Sequence, residues 1–137
     1  MYYEKMKPIL ENLEDKEIDI AGGSAVGMNL ATVNSLIKYI CNLTFGKKKY
    51  EDVQEEVQKI YEEADKLKRK SLQVIDKDKE ILENILEAYK MRNDEPSKYQ
   101  NECKNAVEFC MEVLKIAFET LELSNKVSKV RKQDAIK

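Results

Sequence analysis

Apolar and small residues recur along the middle of the chain with a regular beat: Val53, Val57, Ile60, Ala64, Leu67, Ser71, Val74, Asp78, Ile81, Ile85, Ala88. The steps alternate four and three, the spacing that keeps side chains on one face of an α-helix. This predicts a long helix from Tyr50 to about Met91 with one carboxylate, Asp78, on its inner face. A second row, Tyr99, Cys103, Ala106, Cys110, Val113, Ala117, Leu121 and Ser124, predicts another long helix, widened by Phe109, Leu114, Ile116 and Phe118. Asp94 suits its N-cap and Pro96 its first turn. Its end, VSKVRKQDAIK, thins in apolar content and is expected to fray.

Near the start, Tyr2 to Leu13 reads as a short amphipathic helix with Met6, Ile9, Leu10 and Leu13 inward and Pro8 as a bend or a shifted start. EDKEIDIAGG is then a connection. Residues 21–50, AGGSAVGMNLATVNSLIKYICNLTFGKKKY, are unlike the rest: glycines lead into a nearly charge-free run that ends in a glycine and three lysines. Ser24 to Phe45 reads as the most apolar helix, with Ser24 as N-cap and Gly46 as its stop. Asn29, Asn34, Ser35 and Lys38 argue against a membrane span, so this helix is expected to be central and enclosed by protein. The fold expected is all-α: a single domain over 1–137 of long antiparallel helices around that apolar helix. The faces are broad for so small a chain, and a homodimer or a larger assembly would cover them.

Composition narrows the chemistry. Histidine is absent, which excludes Ser-His-Asp and Cys-His catalysis and a His-ligated zinc. Cys41, Cys103 and Cys110 show no C-x-x-C spacing and read as buried free thiols of a reducing compartment. The net charge of −2 argues against a nucleic-acid partner. No signal peptide precedes the first helix, so a cytoplasmic location is expected.

Three groups of residues are candidates for function. Gly22, Gly23 and Ser24 open a helix, where unpaired N–H groups and the helix dipole attract a carboxylate or phosphate. Gly23, Gly27, Ala31 and Ser35 also form a small-residue row that lets another helix come close, and both readings stand. Gly46, Lys47, Lys48, Lys49 and Tyr50 form a basic patch for an anionic substrate, or simply solvate a helix end. Asp78 among aliphatic neighbours is partly desolvated, a setting that suits a carboxyl to proton transfer; the plainer reading is a packing acid paired with a lysine. Asn42, near the end of the apolar helix, orients a polar ligand or binds backbone.

With these residues in place, the chain resembles the formiminotransferase-cyclodeaminase C-terminal family, which includes stand-alone methenyltetrahydrofolate cyclohydrolases. The resemblance rests on AGGS, on NLTFGKKKYEDV and on the long helix EEADKLKRKSLQVIDKDKEILENILEAYKM, and it covers about residues 18–128. NLTFGKKKY is the specific part. Two places depart from the family pattern: Ile20-Ala21 stands where the glycine motif has Pro-Gly, and only Gln133-Asp134-Ala135 stands near a later Asn-Ala-x-Ser-Asp motif. The resemblance implies an all-helical dimer acting on one-carbon units of tetrahydrofolate, as cyclohydrolase or as cyclodeaminase, without metal or redox cofactor. On that view Asp78 is the general acid/base, and Gly22, Gly23, Ser24, Asn42, Lys47, Lys48 and Tyr50 meet the substrate. The alternative is a helical binding or assembly module of the same family that has lost the chemistry.

Overall fold

The computed structural model describes residues 1–15 and 22–132. Within them run four α-helices, α1 (Tyr2–Glu14), α2 (Gly22–Thr44), α3 (Gln54–Lys90) and α4 (Pro96–Lys132), with a 3-10 turn at Lys48–Val53 leading into α3. Ile20, Ala21 and Gln133 to Ala135 lie outside the described residues, as does most of the EDKEIDIAGG connection. The all-α expectation holds. No helix among the described residues is long and apolar enough to cross a membrane.

The inner face of α3 is the row read from the sequence. Val57, Ile60, Ala64, Leu67, Ser71, Val74 and Ala88 are buried, and Val53, Asp78, Ile81 and Ile85 are half-buried. Both other long helices pack on it. α2 presents Ser24, Gly27, Ala31, Asn34, Ile37, Cys41 and Thr44, and its partners descend α3 as α2 ascends: Ser24 meets Ile75, Lys38 meets Asp65, and Thr44 meets Gln54. The two helices come close because Gly27 has no side chain. A Cβ there would lie 2.8 Å from the backbone oxygen of Ser71 and 3.2 Å from Ile75 and Val74 side-chain carbons. Ser71 opposite is equally accommodating: it is fully buried, and its hydroxyl donates to the carbonyl of Leu67 on its own helix at 2.7 Å. A buried amide ties α2 to α4, Asn34 Nδ2 donating to Thr120 Oγ1 at 3.0 Å.

Several expectations need correction. Of the residues expected inward on α4, Phe109 and Ile116 are buried, whereas Cys110, Leu114, Phe118 and Leu121 are exposed; Thr120, Leu123, Val127 and Val130 complete the buried face. The helix carries two apolar rows, so periodicity alone does not say which one the core takes; here the row one position away from the expected one fills it. Its end does not fray within the described residues, because Val127 and Val130 anchor it. α4 begins at Pro96, leaving Asp94 in the preceding turn. α1 has no buried residue; Ile9 and Leu13 are half-covered, Met6 and Leu10 are exposed, and Pro8 lies inside the helix without ending it. Ser35 is exposed, so the small-residue row ends at Ala31. Of the cysteines only Cys41 is buried, and burial pushes its thiol up from the ordinary value. Finally, α2 is not enclosed by its own chain. Val26, Val33, Leu36, Tyr39 and Leu43 lie open on its outer side, and the helix shared by the other two is α3.

Candidate functional site

Ser24 at the start of α2 and the Asp78 carboxylate of α3, 54 residues apart in sequence, meet, with Gly23 between them and no side chain in the way. Helix α2 begins at Gly22, so Ser24 is a first-turn residue and not the N-cap. Its backbone N–H, one of the donors a helix start leaves unpaired, donates to Asp78 Oδ2 at 3.2 Å. Its side chain donates to the carbonyl of Ile75 at 2.6 Å. Asp78 thus caps α2 from the neighbouring helix, a placement that the dipole of α2 favours. Gly23 makes this possible: a Cβ on Gly23 would collide with the Asp78 carboxyl group. Gly23 gives its space to Asp78, the close-packing reading of the two that the sequence left open. Gly22 is exposed, and a Cβ there would meet nothing within 4 Å, so the open side of the arrangement is Gly22.

The other candidates gather at the opposite end of α2. Gly46 adopts φ 71°, the left-handed conformation that ends a helix at a glycine. The turn after it is held by Gln54, which sequence reasoning missed. Gly46 N–H donates to Gln54 Oε1 at 3.1 Å, and Gln54 Nε2 donates to the carbonyls of Thr44 at 3.1 Å and Tyr50 at 3.0 Å. Tyr50 is buried, with the Arg131 guanidinium 5.2 Å from its ring centre, so its ring is part of the packing. Arg131 was also missed: it sits in the segment expected to fray, and no local pattern marks it. Asn42, Lys47 and Lys48 are exposed. Lys47 and Lys48 line a groove of about 400 Å³ with Gly46, Glu51 and Gln54.

Between the two ends lies a charged brace. Lys38 Nζ, the one charged group in α2, donates to Asp65 Oδ1 at 2.6 Å and sits 4.9 Å from the ring centre of Tyr61; Arg69 reaches Asp65 Oδ2 at 2.8 Å. The hydrogen bond from Lys38 holds the Asp65 carboxyl below its ordinary value, and the same bond holds the Lys38 ammonium above its own. A lowered carboxyl contributes stability above its unfolded value, lost as pH falls through the folded one. A raised ammonium contributes below its unfolded value, lost as pH rises through the folded one. The brace therefore works fully between about pH 4 and about pH 10. Melting curves recorded downward from pH 7 should show wild type losing more stability below about pH 4 than Asp65→Asn does. Parallel acid limbs for the two proteins would contradict this.

α2 has 23 residues, so at 1.5 Å per residue its two ends are roughly 33 Å apart. Within one chain, Gly22, Gly23, Ser24 and Asp78 are brought together, and Asn42, Lys47 and Lys48 are not brought to them. Among the described residues no group of three or more acidic or cysteine side chains is placed to hold a metal ion.

Comparison with known proteins gives the arrangement its context. The methenyltetrahydrofolate cyclohydrolase of Methylorubrum extorquens is 26% identical over 132 residues, covering 91% of this chain. The chain spans 64% of that relative's length. The crystal structure of formiminotetrahydrofolate cyclodeaminase from Thermotoga maritima superposes with a TM-score of 0.73 at 23% identity, over 96% of this chain and 74% of that one; at this identity the likeness is one of fold. The family profile described as formiminotransferase-cyclodeaminase matches residues 5–137, nearly the whole chain. The chain belongs to the formiminotransferase-cyclodeaminase family.

Proposed function

We propose that this protein acts on a one-carbon unit bridging N5 and N10 of tetrahydrofolate, as a methenyltetrahydrofolate cyclohydrolase, with formiminotetrahydrofolate cyclodeaminase as the sister reaction. The observation that carries the proposal is the placement of Asp78: a half-buried carboxylate, fixed by the Ser24 N–H at the open, glycine-lined start of α2. In the cyclohydrolase direction, water adds to the cationic methenyl carbon and loses a proton. The C–N5 bond then breaks, N5 takes up a proton, and 10-formyltetrahydrofolate leaves. Asp78 is proposed to take the proton from water and return one to N5, the work a positioned carboxylate does in general acid–base catalysis. Ring closure of 5-formiminotetrahydrofolate with loss of ammonia makes the same demand for proton transfer at one carbon. Neither reaction requires a resident metal or redox cofactor; the folate is the substrate.

Lys47 and Lys48 are proposed to meet the anionic glutamate tail. Replacing both by glutamate should weaken a polyglutamylated folate more than its monoglutamate, because each added carboxylate brings a further charge near the patch. Equal losses for both ligands would remove the patch from the site.

The roughly 33 Å between Asp78 and these lysines in one chain favours the second reading, a binding or assembly module without chemistry, unless another subunit supplies the missing half. Thermal melting with 5-formyltetrahydrofolate tests the proposal, since a ligand of the native state raises the melting temperature by mass action. A rise that saturates with concentration is expected. No shift at millimolar ligand would contradict folate binding.

A further inference from the structure

We infer that Arg131, near the end of α4, fixes the first glutamate of a folate tail, holding one of its carboxylates in a two-pronged hydrogen bond beside the lysine turn. The assignment rests on the folate reading above. It adds a residue whose task the exposed lysines cannot perform.

The guanidinium reaches the turn from 87 residues away in sequence and is seated on two residues of NLTFGKKKY. It lies 5.2 Å from the ring centre of the buried Tyr50, and its Nη1 is 3.5 Å from Thr44 Oγ1. Neither contact satisfies it. The Thr44 hydroxyl already donates to the carbonyl of Ile40 at 2.8 Å, and 3.5 Å is long for a hydrogen bond. The ring attracts the charge but leaves open a set of five N–H donors. Among the described residues no carboxylate lies within ion-pair distance of Arg131. Ordering so long a side chain costs rotamer entropy, and here it leaves most of the hydrogen-bonding capacity unmet. An incoming carboxylate completes such an arrangement, because its two oxygens match the planar fork.

The group is also within reach of a ligand. Arg131 is half-buried and lines a groove of about 470 Å³ between α2 and α4 with Ser124 and Ser128; the rest of the lining is aliphatic. That volume lies within the range of small-molecule sites. Low-dielectric walls strengthen a charge-assisted bond made against them. The lysine turn adjoins it through Thr44, whose carbonyl accepts the Lys47 N–H at 3.3 Å.

The two kinds of cation do different work. Lys47 and Lys48 are exposed, and an ammonium on a flexible stem responds to how many anions are near. The guanidinium responds to one carboxylate in one orientation. Arg131 therefore recognises the glutamate that every folate carries, and the lysines respond to those added beyond it.

The test is calorimetric titration with 5-formyltetrahydrofolate and with its tail diamide, in which both glutamate carboxylates are carboxamides. Wild type should bind the monoglutamate more tightly than the diamide. Arg131→Gln should weaken the monoglutamate about 10- to 100-fold, the range for a hydrogen bond to a charged group, and leave the diamide within about twofold. Arg131→Lys keeps the charge without the fork and should fall between wild type and Arg131→Gln; it carries the comparison if the glutamine variant does not fold. Equal weakening of both ligands would make Arg131 a packing residue of the Tyr50 turn and overturn the assignment. Unchanged affinity for both would overturn it too, as would a wild type that binds both ligands equally, with the folate reading left standing. A wild type that binds neither would overturn the folate reading itself.

Discussion

Gly27→Val is expected to lower the stability of the fold by about 3 kcal/mol, the upper part of the range for overpacking a close contact. The new Cβ would lie 2.8 Å from the Ser71 carbonyl oxygen, which is backbone and cannot turn aside, and 3.2 Å from carbons of Ile75 and Val74. Relief requires α2 and α3 to separate, and that opens the seam where Ala31, Val74 and Leu67 are buried. Removing a glycine from a helix interior returns about 1 kcal/mol through backbone entropy. Alanine should therefore cost less than valine, whose two methyls meet the same wall. Gly22→Ala is the contrast: its Cβ would meet nothing within 4 Å, so its stability should stay within about 0.5 kcal/mol of wild type. Urea unfolding reads all three, a lower midpoint at unchanged slope being the expected sign for Gly27→Val. A Gly27→Val protein as stable as Gly22→Ala would mean that the two helices are not so closely packed.

The second large effect is on turnover. Asp78→Asn should keep the fold and lower kcat/KM for methenyltetrahydrofolate by about 10²- to 10⁴-fold, the usual contribution of a positioned acid or base. The asparagine carbonyl oxygen can still accept the Ser24 N–H, so the cap on α2 survives while proton transfer does not. Asp78→Ala differs: it leaves the Ser24 N–H without its acceptor and should also cost about 1–3 kcal/mol of stability. Gly23→Ala drives the Asp78 carboxyl from its place and should lower turnover with the catalytic group still present. If Gly23→Ala and Asp78→Ala act through the same contact, their combined loss of stability will be smaller than the two separate losses added. Full additivity would indicate independent roles, and unchanged turnover in a folded Asp78→Asn protein would remove the carboxylate from the chemistry.

Much of the fold was legible because the inner row of α3 runs the full length of the helix, from Val53 to Ala88, whereas its other apolar residues, Leu72, Leu82, Leu86 and Tyr89, form a shorter, exposed row. Each residue of the long row is buried or half-buried, Asp78 included. α4 has two rows, and local spacing cannot rank them. The choice depends on which side chains fit against Ile60, Leu67 and Val74, a question of shape that a one-dimensional pattern does not contain. The meeting of Gly23 with Asp78 was legible in outline, as a tight helix start and an acid among aliphatic residues. Who fills the space was not: the glycine row reads the same whether a ligand or a neighbouring carboxylate lies over it. Gln54 and Arg131 left no signal, because their roles arise from contacts made across the turn and from a distant helix. NLTFGKKKY owes part of its character to this architecture, with Thr44 buried, Gly46 at positive φ and Tyr50 packed inward. Asn42, Lys47 and Lys48 are exposed in the same segment.

The Asp78 end of α2 is proposed as the place where folate chemistry happens. The most direct test follows the loss of methenyltetrahydrofolate absorbance with purified wild-type chain, corrected for the spontaneous reaction in the same buffer. Hydrolysis well above the uncatalysed rate, proportional to protein concentration, is the predicted result. A folded protein that leaves the methenyl compound to decay at the buffer rate would contradict it.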